Sequence, residues 1–157
     1  MTGYIIAQSD QAGIQGYTAY MYDDGIHRSA AATIVDSTPS KRLLFSHVAN
    51  KIPAKSGGEY LTGIALLNPY GTRIDYTMKL YDGDGYLMAQ KTSSLAARQK
   101  VAKLLSYPEP GSAFFAGSIP IANGHVEVTS SYGLVGYETF FSTDMSQIAS
   151  VPAQTGD

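Results

Sequence analysis

Between Ile74 and Asp82 apolar and polar side chains alternate without a slip. Ile74, Tyr76, Met78 and Leu80 interleave with Asp75, Thr77, Lys79 and Tyr81. A period of two puts neighbouring side chains on opposite faces of an extended chain, so this stretch predicts a strand with one face in a core and one in water. Residues 59–69 read as the strand before it and 86–95 as the strand after it. Asp82-Gly83-Asp84-Gly85 reads as the tight turn between the last two. The three form a β-meander. Within the first, Ile64-Ala65-Leu66-Leu67 is apolar at every position, which predicts a central strand covered on both faces.

The flanks carry the same grammar. Upstream, strands are predicted at 4–8, 14–22 and 29–35, separated by turns at 9–13 and 23–25, with another strand at 43–48. Asp36-Ser37-Thr38-Pro39-Ser40 is polar and holds a proline, the best internal boundary. Downstream, Val101, Leu104 and Leu105 fall at i, i+3 and i+4 with Lys100 and Lys103 between them and Pro108 beyond, which predicts one short helix near 99–107. Asn123-Gly124 signals a hairpin, and further strands are predicted at 113–119, 125–130, 134–142 and 147–152. The expected fold class is all-β: an antiparallel β-sandwich of immunoglobulin-like topology with that one helix.

The tail of the chain echoes its head. Gly3-Tyr4-Ile5-Ile6-Ala7-Gln8-Ser9 sets against Gly124-His125-Val126-Glu127-Val128-Thr129-Ser130. One skipped residue later, Gly13-Ile14-Gln15-Gly16-Tyr17 sets against Gly133-Leu134-Val135-Gly136-Tyr137, an offset of 120 residues (Gly13 against Gly133). Tyr20 then matches Phe140, and Asp24 matches Asp144. The expectation is that residues 1–36 are the closing strands of one repeat and 41–153 a complete second one, as in tandem arrays that bury their cores unit by unit.

Composition sharpens this picture. The 157 residues are 44% hydrophobic but only 15% charged, against about 25% charged in an average globular protein, so hydroxyl, Gln, Gly and Tyr side chains must cover the surface. A net charge of -2 with scattered basic residues offers no footprint for nucleic acid. With no cysteine, disulfides and thiolate zinc sites are excluded. No apolar run is long enough to span a bilayer as a helix, so no membrane insertion is expected. The Met1-Thr2-Gly3 start lacks a basic region followed by an apolar stretch, and with strand pattern beginning so early the chain is expected to be cut from a longer protein.

Five segments together resemble a known pattern: Leu44-Phe45-Ser46-His47-Val48-Ala49, Thr62-Gly63-Ile64-Ala65-Leu66-Leu67-Asn68-Pro69, Leu80-Tyr81-Asp82-Gly83-Asp84-Gly85, Leu95 to Leu105, and Gly124–Ser130 with Leu134-Val135-Gly136-Tyr137-Glu138. The chain resembles the uncharacterised tandem β-sandwich repeats of large exported bacterial proteins over about residues 42–152. Residues 3–35 resemble the final third of that pattern. At Ala97-Arg98 this chain departs from the family's Pro-Gly. The resemblance implies an immunoglobulin-like sandwich and an extracytoplasmic location, secreted, periplasmic or on the cell surface. The family brings no activity, so no functional residue is carried over.

Candidate chemistry is sparse. Asp82 and Asp84 pair oxygens that suit a hard cation such as calcium, but the loop lacks a third carboxylate and a downstream Glu, and Asp-Gly between strands is the expected turn. His27, His47 and His125 stand in no ligand or triad spacing. Tyrosine is the surplus, with twelve in all, and Tyr17, Tyr20 and Tyr22 crowd one strand. Tyr20 and Tyr22 share a face and Tyr17 takes the other, either as a sugar-stacking platform or, more in keeping with sheets, as cross-strand packing. The expected role is a non-catalytic structural or interaction module of an exported bacterial protein, with neighbouring repeats as partners and no cofactor. Carbohydrate or another surface protein is a further possible partner, a carbohydrate-binding module is the alternative role, and a small hydrolase stands behind both.

Overall fold

Twelve strands and no helix make up the described residues of the computed structural model, which are positions 5, 7, 10, 16–34, 38–55, 57–109 and 111–156. The strand expected at 4–8 falls largely outside them. Strands β1 (Tyr17–Asp23) and β2 (Arg28–Ile34) form an antiparallel hairpin that is a sheet by itself. The remaining ten strands form one continuous sheet in two parts that share a long strand. One holds β3 (Ser40–Asn50), β6 (Ile74–Tyr81), β7 (Leu87–Leu95), β12 (Gln154–Gly156) and the first half of β10 (Ile121–Ser142). The other holds β5 (Glu59–Leu67), β8 (Lys100–Tyr107), β9 (Ala113–Ala116), β11 (Ile148–Pro152) and the second half of β10, with the two-residue β4 (Ile52–Pro53) beside the start of β5.

The three strands expected at 59–69, 74–82 and 86–95 form, but not as a meander: β6 pairs with β7 and β10, whereas β5 pairs with β10 and β8, so the chain crosses between β5 and β6. β6 buries the four residues its alternation named: Ile74, Met78 and Leu80 are fully enclosed and Tyr76 nearly so. They meet Leu43, Phe45 and Val48 of β3, Ile64 and Leu66 of β5, and Val126, Val128 and Leu134 of β10 in one core. Moving such side chains out of water contributes roughly 1.5–3 kcal/mol each, and this burial is the main force holding the layers together. The apolar run in β5 sits between β10 and β8, and its successive residues Ile64, Ala65 and Leu66 are all buried, as a strand covered on both faces requires.

Asn68, at the end of that run, is fully buried and ties the β5–β6 loop to the β7–β8 loop. Its Nδ2 donates to the carbonyls of Thr72 (2.6 Å), Leu95 (3.3 Å) and Ala96 (2.9 Å), and its Oδ1 accepts from the Tyr70 amide (2.9 Å). Buried Asn50 does similar work, donating to Ser106 Oγ (2.8 Å) and the Ile119 carbonyl (3.0 Å). These amides satisfy backbone groups that would otherwise be stranded away from water.

Several expectations need correction. Residues 99–107 form no helix: β8 runs there, pairing with β5 on one side and β9 on the other. Adjacent Leu104 and Leu105 point to opposite faces of the strand, Leu105 into the core and Leu104 toward the other side, and with Val101 their spacing mimics a helical stripe. Nor is the sheet purely antiparallel, because β8 and β9 run parallel.

Asn123-Gly124 is not a hairpin turn either. It lies inside β10, where the register against β3 shifts. A side chain on Gly124 would run into the Tyr81 carbonyl, so glycine is there to let β6 approach. The strands expected at 125–130 and 134–142 are one strand bent between the layers. At the bend, a Cβ on Gly133 would stand 2.7–2.9 Å from atoms of Pro39.

Candidate functional site

The β1–β2 hairpin is the part of the molecule least absorbed by the core. Its tip is organised by Asp24, whose Oδ1 accepts from the amides of Ile26 (2.9 Å) and His27 (2.6 Å). The His27 and Ile26 donors hold the Asp24 carboxyl well below the usual carboxylate range. Asp23 pairs with Arg28 at 3.0 Å, and Asp24 with His27 at 3.5 Å. The tip charges therefore answer one another.

The equivalent turn 120 residues on has the same device: Asp144 Oδ1 accepts from the Ser146 amide at 3.1 Å. The flanking strands are antiparallel in both places, with pairing shifted by two residues: Tyr17 pairs with Ile34 and Tyr20 with Ala31, whereas Tyr137 pairs with Pro152 and Phe140 with Ala149. The hairpin β1–β2 is thus a structural counterpart of β10–β11.

Tyr20 and Tyr22 are half-buried and Tyr17 is 76% exposed on the opposite face. The Tyr20 hydroxyl lies 3.2 Å from Thr139 Oγ1 of β10, and the Tyr22 hydroxyl donates to Asp24 at 3.0 Å. Ser29 of β2 donates to the Met145 carbonyl at 2.6 Å, and β2 runs beside β11. The hairpin thus lays its Tyr20 face on the outer side of its own counterpart. There, burial and Tyr20 both push the Tyr137 phenol up.

Beside this contact a shallow groove of about 350 Å³ crosses β10, β5 and β8. Its lining includes Gly63, Ala65 and Ala102, with Leu104, Tyr137 and Thr139 alongside. Nothing in the residue pattern singles it out, because small residues in strands carry no chemical signal.

The other candidates sit apart from it. Asp82 Oδ1 accepts from the amides of Asp84 (3.0 Å) and Tyr86 (2.8 Å), with Gly85 at φ +85°, so this carboxylate shapes the β6–β7 turn. Among the described residues no group of three or more His, Asp or Glu gathers as a metal site would. The imidazoles disperse: His125 stacks on Tyr81 (4.8 Å), His47 tilts against Phe140 (5.5 Å) and His27 stays with Asp24.

One titratable group goes unnoticed in the sequence. Glu138 is 1% exposed on β10, its Oε2 has no hydrogen-bond partner, and burial alone pushes its pKa up to about 8. Its parity with Leu134, Gly136 and Phe140, the inward positions of that strand, is the available signal.

No family model and no curated protein matches this chain. Among solved structures it is similar to the crystal structure of Thermotoga maritima 1070. The two superpose with a TM-score of 0.57 over 75% of this chain and 96% of that one, at 7% sequence identity. The likeness is one of fold.

Proposed function

We propose that this chain is a non-catalytic structural module from a tandem array on an exported bacterial protein, with a repeat's closing hairpin docked on the next repeat. The observation that carries the reading is the β1–β2 hairpin. Its first strand and Asp-anchored turn echo β10 and the turn after it in sequence, and it packs on that later hairpin through Tyr20 and Thr139. On this reading the sandwich is a variant of the immunoglobulin-like class, with β10 shared by both layers and the parallel β8–β9 pair as its departures.

Its role is spacing: repeats that touch only their neighbours add stability through nearest-neighbour contacts and present an extended surface. The test joins two copies head to tail. The joined protein is expected to unfold at higher urea than one copy, by an amount that Tyr20→Ala in the second copy removes. Two copies melting independently at the single-copy midpoint would refute the array.

A second reading, carbohydrate binding, draws on the groove, where Tyr137 flanks a floor of small residues beside the hydroxyls of Thr139 and Ser112. A glycan array tests it. Binding that Tyr137→Ala abolishes would support it, and a blank array would remove it.

A further inference from the structure

The chain enters and leaves its main body at one pole. Entry is at Ser40, the first residue of β3, which pairs with Leu134 just past the bend of β10. The last strand, β12, runs antiparallel to the start of β3 with Gly156 against Arg42, and Ser40 Oγ donates to the Gly156 carbonyl at 3.2 Å. The same pole carries Pro39 against Gly133, and the exposed ring of Tyr132 tilted against Tyr70 at 6.4 Å. The opposite pole holds the far end of β3, where Asn50 pairs with Ile121, and the tip of the β4–β5 hairpin. The 143–147 turn is there too, its Thr143 amide donating to the Glu59 carbonyl at 2.9 Å.

The internal repeat sets the length of the linker. At the offset of 120 residues Gly156 corresponds to position 36, and the next β3 begins at Ser40, so residues 37–39 alone join one repeat to the next. Fully extended, the four steps from 36 to 40 cover at most about 14 Å. The eleven residues of β3 span about 36 Å from pole to pole. Repeats strung in file need exit and entry at opposite poles, and so short a linker cannot carry the chain that far. The linker poles of successive repeats therefore either lie side by side or meet head on.

The β1–β2 hairpin decides between these two arrangements. It is the counterpart of β10–β11 from the repeat before, and it lies along the later hairpin with its tip toward the same pole. Near the tips Ser29 donates to the Met145 carbonyl at 2.6 Å, and midway along the strands the Tyr20 hydroxyl meets Thr139 at 3.2 Å, while β2 follows β11. Repeats meeting head on would point the two tips to opposite poles. We propose that the repeats stack side by side in one orientation, with the linkers along one edge of the array and the loops of the opposite pole along the other.

This inference rests on the array reading and adds its geometry. Two sheet thicknesses per repeat set a spacing of about 20 Å along the stack. The surface offered to a partner is then a row of like loops, each repeat contributing its β4–β5 tip at Lys55, its Asp82–Gly85 turn beside Asn123, and its 143–147 turn.

The test extends the chain by one period, residues 1–156 followed directly by a second copy of 37–157, and measures distances between paired spin labels. The protein has no cysteine, so Lys55→Cys in both complete repeats marks the loop pole and Tyr132→Cys in both marks the linker pole. Both sites are exposed, and an unchanged urea midpoint verifies the fold. Stacking in one orientation predicts narrow distributions centred on the order of 20–30 Å at both poles. Head-on repeats would keep the Tyr132 pair close and part the Lys55 pair by about 70 Å, which overturns the stack and leaves the array standing. Broad distributions at both poles overturn the stack as well. Unfolding at the single-copy midpoint then shows that the array has failed with it, whereas a raised midpoint spares the array. Small-angle scattering from the unlabelled chain reads the same difference: a maximum dimension on the order of 60 Å supports the stack, and one of about 80 Å overturns it.

Discussion

Glu138 should make this protein lose stability as the solution turns from mildly acidic to mildly basic. Its carboxyl sits among inward-facing residues of β10, 1% exposed, with Oε2 unpartnered. Burial raises its pKa from an ordinary 4.5 to about 8. A carboxyl held above its unfolded value stays protonated in the fold while the unfolded chain has already ionised. The full stability is therefore present below pH 4.5 and drains away as pH rises toward 8. The slope is about 1.4 kcal/mol per pH unit for one proton, so the loss between about pH 5 and pH 7 is roughly 2–3 kcal/mol. That is a large share of a typical domain's total. The assay is urea unfolding at each pH from about 5 to 8, on the wild type and on Glu138→Gln. The amide is neutral throughout but places another unpartnered polar group in the core, costing about 1–3 kcal/mol. The variant should be the less stable protein at the acidic end, the equal or better one at the basic end, and flatter in between. Parallel pH profiles for the two proteins, or stability that climbs with pH across that range in the wild type alone, would refute the reasoning.

Other outcomes follow from single contacts. Asn68→Ala strands the carbonyls of Thr72, Leu95 and Ala96 and should cost roughly 2–4 kcal/mol in urea unfolding, with amide exchange accelerated at Tyr70. Gly136→Ala puts a methyl 2.9 Å from Phe45 Cζ and 3.1 Å from Leu43 Cδ1, an overpacking expected to cost about 1–3 kcal/mol in the same assay. Arg98→Gly should stabilise by about 1 kcal/mol, because Arg98 holds φ +59° in the turn that joins β7 to β8, a region where a Cβ is penalised. A lower melting temperature for that variant would show that the arginine side chain contributes more than its backbone strain costs.

Much of the β grammar could be read from residue order, and the failures share one cause. Where a strand has one buried face, as β6 does, the period of two is unbroken and the boundaries are right within a residue. Where a strand carries apolar side chains on both faces, as β8 does at Leu104 and Leu105, or pairs with different neighbours along its length, as β10 does, packing overrides the period. Gly124 and Gly133 look like turn glycines in sequence, yet they sit in a strand because Tyr81 and Pro39 come too close for a side chain. The hairpin tyrosines are correctly divided between two faces by their spacing. Which face would meet Thr139 was invisible, since that contact spans 119 positions. The groove was illegible for a related reason: Gly63, Ala65 and Ala102 become a surface only when three strands align them.

Several residues within the segments that resemble exported repeats sit at joints. Asn68 pins loops, Asp82 shapes a turn, and Ala97-Arg98 occupies the two central positions of a turn closed by the Gln99 amide on the Ala96 carbonyl at 3.1 Å. With Arg98 at positive φ, that turn is of the type for which Pro then Gly is the preferred pair, which is what the family places there. Each such position answers a backbone requirement. Residues that fix joints specify where strands go, and they say nothing about what the surface meets. Chemistry particular to this chain must then reside where no joint constrains the residue.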